Sequence, residues 1–231
     1  SLAKEGFKFP LDVSTGGRAT IGGMTGNNSC GARSIRYGTM RDNVRALEAI
    51  LIDGSRHHFG PSSRDNESNR FNRQLFDIGD KYAEEAARRF PDVQRRVGGY
   101  NIDALARTSN GTTNLAHLLV GSEGTLAYSE RIQLHLANIP GHKVLGVCHF
   151  PTFYAAMDSA QHIVKLGPSA VELVDRTMIE LARDIPMFRD VIGQIVVGQP
   201  DALLLVEFSG DDLDAQLQGL KQLQELMSDL G

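Results

Sequence analysis

Cysteine is nearly absent: Cys30 and Cys148 are two in 231 residues, far apart and without a C-x-x-C companion, which excludes a disulfide framework or a zinc ribbon. No apolar run approaches the roughly 18 residues of a membrane span, and no charged-then-apolar leader opens the chain. A formal net charge of -4, with basic residues scattered apart from Arg88-Arg89 and Arg95-Arg96, gives no electrostatic case for nucleic acid or an anionic membrane. The pairs and singles His57-His58, His142, His149 and His162 never fall at H-x-x-x-H or H-E-x-x-H spacing, so no metal site is expected. There is no P-loop, no G-x-G-x-x-G, no internal repeat and no low-complexity tract. What remains is an ordinary globular composition, 41% hydrophobic and 23% charged, long enough for one large or two modest domains. A reducing, cytoplasmic setting fits it best.

Glycine, by contrast, is concentrated. Thr20-Ile21-Gly22-Gly23-Met24-Thr25-Gly26-Asn27-Asn28-Ser29-Cys30-Gly31 has almost no side-chain bulk, and Arg36-Tyr37-Gly38-Thr39 follows shortly. Gly and Asn tolerate positive φ, so such a loop brings backbone N–H groups close to a phosphate-bearing or flat aromatic ligand. The competing reading is a surface turn that touches nothing. A second segment, His117-Leu118-Leu119-Val120-Gly121-Ser122-Glu123-Gly124-Thr125-Leu126, runs from an apolar stretch into a small-residue turn.

Periodicity organises the rest. Residues 1–43 read as mostly irregular, with a short strand around Ala19–Ile21. Val44 to Asp53 and His57–Phe59 read as two antiparallel strands joined at Asp53-Gly54. Residues 60–70 read as loop, and Phe71, Leu75, Ile78, Tyr82 and Ala86 mark the apolar face of a helix ending before Pro91. Residues 92–113 are irregular. Thr113 or Asn114 caps a short helix through Val120, and Leu126 to Ala137 is a strand. A domain boundary falls at Ile139-Pro140-Gly141. Beyond it come a strand at Lys143–Phe150, a helix capped by Thr152 and a strand at Val171–Val174. A helix from about Arg176 to Arg183 and a strand at Ala202–Phe208 follow. Asp211 or Asp212 caps a last helix with Leu213, Leu217, Leu220, Leu223, Met227 and Leu230 on one face.

The two glycine motifs together, with Arg95-Arg96-Val97-Gly98-Gly99-Tyr100-Asn101 between them, resemble the FAD-linked D-2-hydroxyacid dehydrogenases of the vanillyl-alcohol-oxidase superfamily. That branch includes D-lactate and D-2-hydroxyglutarate dehydrogenases and the D subunit of glycolate oxidase. The resemblance spans about residues 15–231 and is nearest to the long bacterial members. It implies an α+β fold: residues 1–139 as the second subdomain of a PCMH-type FAD-binding domain, an antiparallel sheet with helices, and residues 140–231 as the first part of a ferredoxin-like cap domain. It implies FAD as cofactor, a small 2-hydroxyacid substrate oxidised by hydride transfer to flavin, and an electron acceptor as partner. Three features of the family are missing: an upstream loop of the kind PRGGGTS, the metal-binding histidines and the substrate-clamping arginines. The chain therefore reads as a middle piece, inactive in isolation, with its general base elsewhere.

Residue by residue, the resemblance implies cofactor contacts from Thr20, Ile21, Gly22, Gly23, Asn27, Asn28, Gly31, Tyr37, Gly38, Glu123, Gly124 and Thr125. Gly124 and Thr125 match positions near the adenosine end. The competing role for Asn27 and Asn28 is an Asx-turn, and Glu123 reads as an acceptor for loop N–H groups rather than a base. Cys30 invites a covalent flavin link that the resemblance does not support. Arg95, Arg96 and Tyr100 are substrate candidates, since paired guanidiniums clamp a carboxylate; a solvated basic turn is the alternative. Two rival functions stay open: a non-catalytic binding module, or a flavin enzyme of the superfamily acting on an alditol, an aryl alcohol or an ether lipid.

Overall fold

The computed structural model describes residues 2–106 and 108–230, which divide into one unit up to Ala137 and a second from Asn138. In the first unit a three-stranded antiparallel sheet runs in the order β2-β1-β5, with β1 at Val44–Ile50, β2 at Arg56–Phe59 and β5 at Tyr128–Leu134. Leu47 faces Phe59 on one side and Ile132 on the other, and all three belong to the apolar core. The β1–β2 hairpin turns where Asp53-Gly54 predicts: Gly54 has φ +82°, and the Asp53 carboxylate accepts from the Ser55 N–H at 2.9 Å. Those Ser55 bonds hold the Asp53 carboxyl below its ordinary pKa.

The segment 60–70 is less loop-like than its composition suggests. Pro61–Ser63 is a strand, β3, paired antiparallel with Thr112–Asn114, β4, and Arg64–Asn66 is a 3-10 turn. Helix α4, Arg70–Arg89, is capped by Asn69, whose Oδ1 accepts from Phe71 N–H at 2.9 Å. Its buried stripe is Leu75, Phe76, Gly79 and Ala86, whereas Ile78 and Tyr82 are exposed. Gly79 explains the rotation: a Cβ there would lie 2.4 Å from the Leu105 carbonyl oxygen, so the turn at Ile102–Leu105 rides directly on the helix backbone. Arg64 ties this corner together. It stacks over Phe76 at 4.6 Å, pairs with Asp80 at 2.7 Å and donates to the Leu105 carbonyl.

The second unit is a three-stranded antiparallel sheet of order β6-β8-β7: His142–Phe150, Ala202–Gly210 and Ala170–Asp175. The central β8 is the apolar run of the sequence, with Ala202, Leu203, Leu204, Val206 and Phe208 all buried. Helix α6, Phe153–Ile163, starts at Thr152, whose hydroxyl accepts from Ala155 N–H at 3.1 Å. Helix α7, Arg176–Asp184, starts at Asp175, and helix α9, Leu213–Leu230, starts at Asp212 rather than Asp211, which instead accepts from Gly141 N–H. A further helix, α8 at Pro186–Ile195, interrupts the expected strand-helix alternation. Its Pro186 occupies the first turn, where a missing N–H costs nothing. On α9 only Leu223 and Gly219 are buried, and Leu213, Leu217 and Leu230 are exposed.

Candidate functional site

The glycine-rich loop does not enter as a strand. Thr20 is the N-cap of a short helix, α1 at Ile21–Gly26, and its hydroxyl accepts from Gly23 N–H at 3.1 Å. Two more short helices follow, α2 at Ser34–Tyr37 and α3 at Met40–Asn43, and α5 at Ala116–Leu119 leads into the second motif. Thr39 and Asp42 close α3 with a capping box, in which Asp42 Oδ2 accepts from Thr39 N–H at 2.7 Å. Residues 2–43 are thus built mostly of short helices, caps and turns, because glycine and small hydroxyl residues supply the caps and turns.

The structure brings the two motifs side by side. Gly121 N–H donates to Thr25 O and Glu123 N–H to Gly26 O, both at 2.9 Å. Their turn is left-handed three times over, with φ +84° at Gly121, +54° at Glu123 and +74° at Gly124. Outside this backbone pairing lies a row of exposed positions: Thr20, Ile21, Gly22, Gly23, Asn27, Glu123, Gly124 and Thr125. A Cβ at Gly22 or Gly124 would meet nothing within 4 Å, so the rim is bare backbone at these two positions, between the exposed side chains of Thr20, Ile21, Glu123 and Thr125. The Ile21 and Gly22 N–H groups stand in a first helical turn, where they have no intrahelical acceptor. Bare glycine backbone with outward N–H groups and neighbouring hydroxyls suits a ligand that carries phosphates and a flat ring, so these residues fit FAD.

Other expected contacts have internal explanations. A Cβ at Gly31 would sit 1.9 Å from Asp12 O, and one at Gly38 would meet the Asp42 carboxylate at 2.4 Å with φ +72°. Both glycines are required by packing within the unit. Asn27 Oδ1 accepts from Ser29 Oγ at 2.6 Å, a local turn. Tyr37 lies under cations, with Lys8 Nζ 5.2 Å and the Arg36 guanidinium 5.4 Å from its ring. Asn28 is only 1% exposed, so its side chain points into the unit and not along the rim. Of the substrate candidates, Arg96 is committed: it pairs with Asp103 at 2.6 Å and lies 4.3 Å over the Phe90 ring. Arg95 and Tyr100 are exposed, and the Tyr100 hydroxyl bonds Thr125 Oγ1 at 2.7 Å. Because Thr125 Oγ1 itself donates to Ser122 O, Tyr100 is the donor in that pair.

Sequence reasoning missed Arg41 and Asn101. The Arg41 guanidinium reaches Asn101 Oδ1 at 3.5 Å and Asp103 at 3.4 Å, and the Asn101 amide donates to Val120 O at 2.8 Å. No local motif marks these contacts, which join residues 60 and 19 positions apart. Behind them His117 is mostly buried. Its Nε2 accepts from the Asn114 amide at 3.1 Å, and burial first, then the Arg41 charge, pushes its pKa below the ordinary imidazole value. Among the described residues no group of three or more His, Cys, Asp or Glu is placed to hold a metal, and no helix is long and apolar enough to cross a membrane.

Comparison with known proteins finds two families. Residues 1–60 match the FAD binding domain family, and residues 139–231 match the family of FAD linked oxidases, C-terminal domain. D-2-hydroxyglutarate dehydrogenase of Pseudomonas putida is 29% identical over 99% of this chain and 24% of its own length. The Haemophilus influenzae protein of the same name is 29% identical over 96% of this chain and 23% of its own. A mitochondrial D-lactate dehydrogenase [cytochrome] of Arabidopsis thaliana is 33% identical over 77% and 24%. The chain thus spans about a quarter of the length of the curated relatives it matches. In fold it is similar to a solved structure of alkyldihydroxyacetonephosphate synthase, with a TM-score of 0.62 at 17% identity, covering 100% of this chain and 36% of that one. The chain carries the FAD-binding and C-terminal domains of the FAD-linked oxidases, a mixed α+β architecture whose relatives include D-2-hydroxyglutarate and D-lactate dehydrogenases.

Proposed function

We propose that the chain is part of an FAD-dependent oxidoreductase that oxidises a D-2-hydroxyacid of the lactate, glycolate or 2-hydroxyglutarate class, and that residues 20–27 and 121–125 cradle the cofactor. The observation that carries this reading is the backbone pairing of the two glycine motifs, with Gly22 and Gly124 leaving open space on the exposed side of each. The names of the curated relatives, which match between 77% and 99% of this chain, support the substrate class. FAD supplies two-electron acceptor chemistry when bound. The chain's own residues bind and orient it. Gly22 and Gly124 permit close approach, while Thr20 and Thr125 keep the adjacent turns in shape. The Tyr100 hydroxyl reaches the second turn through Thr125. Arg95, exposed and five residues earlier, is the remaining arginine of the substrate candidates and would attract a carboxylate. The electron acceptor is a separate partner, and a cytoplasmic setting accords with two isolated thiols.

An absorption spectrum after incubation with excess FAD and desalting tests the reading. A retained visible band with vibronic structure is expected, and Gly22→Val should weaken it, because the added side chain occupies the rim. Turnover of D-2-hydroxyacids is expected in the polypeptide that contains this chain. No retained band, with no such turnover, overturns the proposal.

A further inference from the structure

We propose that Asn28 and Asn101 are positioning residues: a pair of buried amides that sets the spacing of the two cofactor loops without touching the cofactor. The inference rests on the FAD reading above and adds the means by which that site is held in shape. Both side chains are essentially sealed, at 1% and 2% exposure, so neither lies on the rim. Asn28 takes φ +50°, and its Oδ1 accepts from Arg41 N–H at 2.8 Å while its Nδ2 donates to Arg96 O at 3.4 Å. Asn101 donates to Val120 O at 2.8 Å and His117 O at 3.3 Å, and accepts from the Arg41 guanidinium at 3.5 Å. Arg41 therefore joins both amides, one through its backbone and the other through its side chain. Gly121 sits between them: a Cβ there would lie 3.2 Å from Asn28 Cβ and 3.7 Å from Asn101 Nδ2. An amide suits this place because it donates and accepts at once and carries no charge into the interior. Each loop is thereby tied to the segment 96–103 as well as to the other loop.

The test uses Asn28→Gly, which keeps the left-handed backbone and removes only the amide, alongside Asn101→Ala. Loss of one or two hydrogen bonds should weaken FAD binding about tenfold in each variant. The visible circular dichroism of bound flavin should change, reporting a displaced ring. In the absence of FAD, amide exchange at Gly121 and Glu123 N–H should accelerate while exchange in the sheet stays as in the wild type. Should Asn101→Ala fail to fold, Asn28→Asp is the second comparison: it keeps the acceptor for Arg41 N–H, and its loop exchange should lie nearer the wild type than that of Asn28→Gly. Unchanged exchange at Gly121 and Glu123 overturns the proposal. So do unchanged FAD affinity and circular dichroism, because the amides would then be structural only. A wild-type chain that takes up no flavin while exchange behaves as expected defeats the FAD reading, and the proposal falls with it; that pattern differs from flavin bound at unaltered affinity.

Discussion

The two units bury different chemistry. Up to Ala137 the interior holds amides and hydroxyls, and of the eight buried polar side chains among the described residues four, Thr25, Asn28, Asn101 and Ser122, lie in or against the paired loops. After it the buried polar side chains among the described residues are Ser159, Ser169 and Ser209, and the last two bond each other at 2.7 Å beside a core of aliphatic and aromatic residues. A sheet with helices on it is specified by the period of its apolar positions. A set of turns has no period to exploit, so it is held by side chains that bond in two directions. Where this chain holds irregular backbone in a fixed shape, it does so with polar groups, and that is where the candidate site lies.

The contrast gives graded expectations. Leu204, 2% exposed in the central strand of the second unit, should cost about 3 kcal/mol when changed to Ala, through the cavity left behind; denaturation of the second unit followed by hydrogen exchange at Val206 measures it. A loss under about 1 kcal/mol would mean that this core closes around the gap, against the close packing expected of it. Gly31→Ala should destabilise the first unit by about 2 kcal/mol, since the methyl meets the Asp12 backbone and not a movable side chain. The same substitution at Gly22, where the space is open, should leave thermal stability nearly as it was. Equal effects at the two glycines would refute the division between packing and rim positions.

Smaller effects probe the caps and the buried imidazole. Thr20→Ala removes the acceptor for Gly23 N–H and should cost about 1 kcal/mol, visible as faster exchange at Gly23 in the first unit. His117 gives a pH dependence of defined sign. Its folded pKa lies below the ordinary imidazole value of 6.5, so between the two values the unfolded chain binds more protons. Stability contributed here is complete above the unfolded pKa and declines as pH falls from about 6.5 toward the folded value. The first unit should melt earlier in mildly acidic buffer than at neutral pH, and His117→Gln should flatten that difference. A melting temperature that rises on acidification would show the opposite linkage.

Much of the second unit was legible because its signals are local: Thr152 and Asp212 announce helices, and the run Ala202–Phe208 announces a buried strand. The β1–β2 hairpin was equally plain from Asp53-Gly54. The helix at Ile21–Gly26 was hidden by three glycines of poor helix propensity, although Thr20 was its signal. Helix Pro186–Ile195 was hidden by a proline that marks its start and by Gly193 within it. The apolar faces of α4 and α9 were legible in part: Phe71, Leu75, Ala86, Leu220, Leu223 and Met227 pack inward, whereas Ile78, Tyr82, Leu213, Leu217 and Leu230 are exposed. Burial depends on what lies across from each helix, and Gly79 against Leu105 is a contact no local pattern contains. For the site, the two motifs were readable but their support was not. Arg41, Asn101 and the inward turn of Asn28 depend on residues far apart in the chain.

The turn from Gly121 to Gly124 has a consequence for how the sequence can drift. Three of its four residues hold left-handed backbone, and Glu123 is the one among them with a side chain. Selection at position 123 therefore acts first on handedness and only then on charge: Gly, Asn or Asp enters at small cost, while Val, Ile or Thr faces a steric penalty whatever the ligand. Variation among descendants of this chain should be narrow in shape and broad in polarity at that position, a tolerance imposed by the backbone alone.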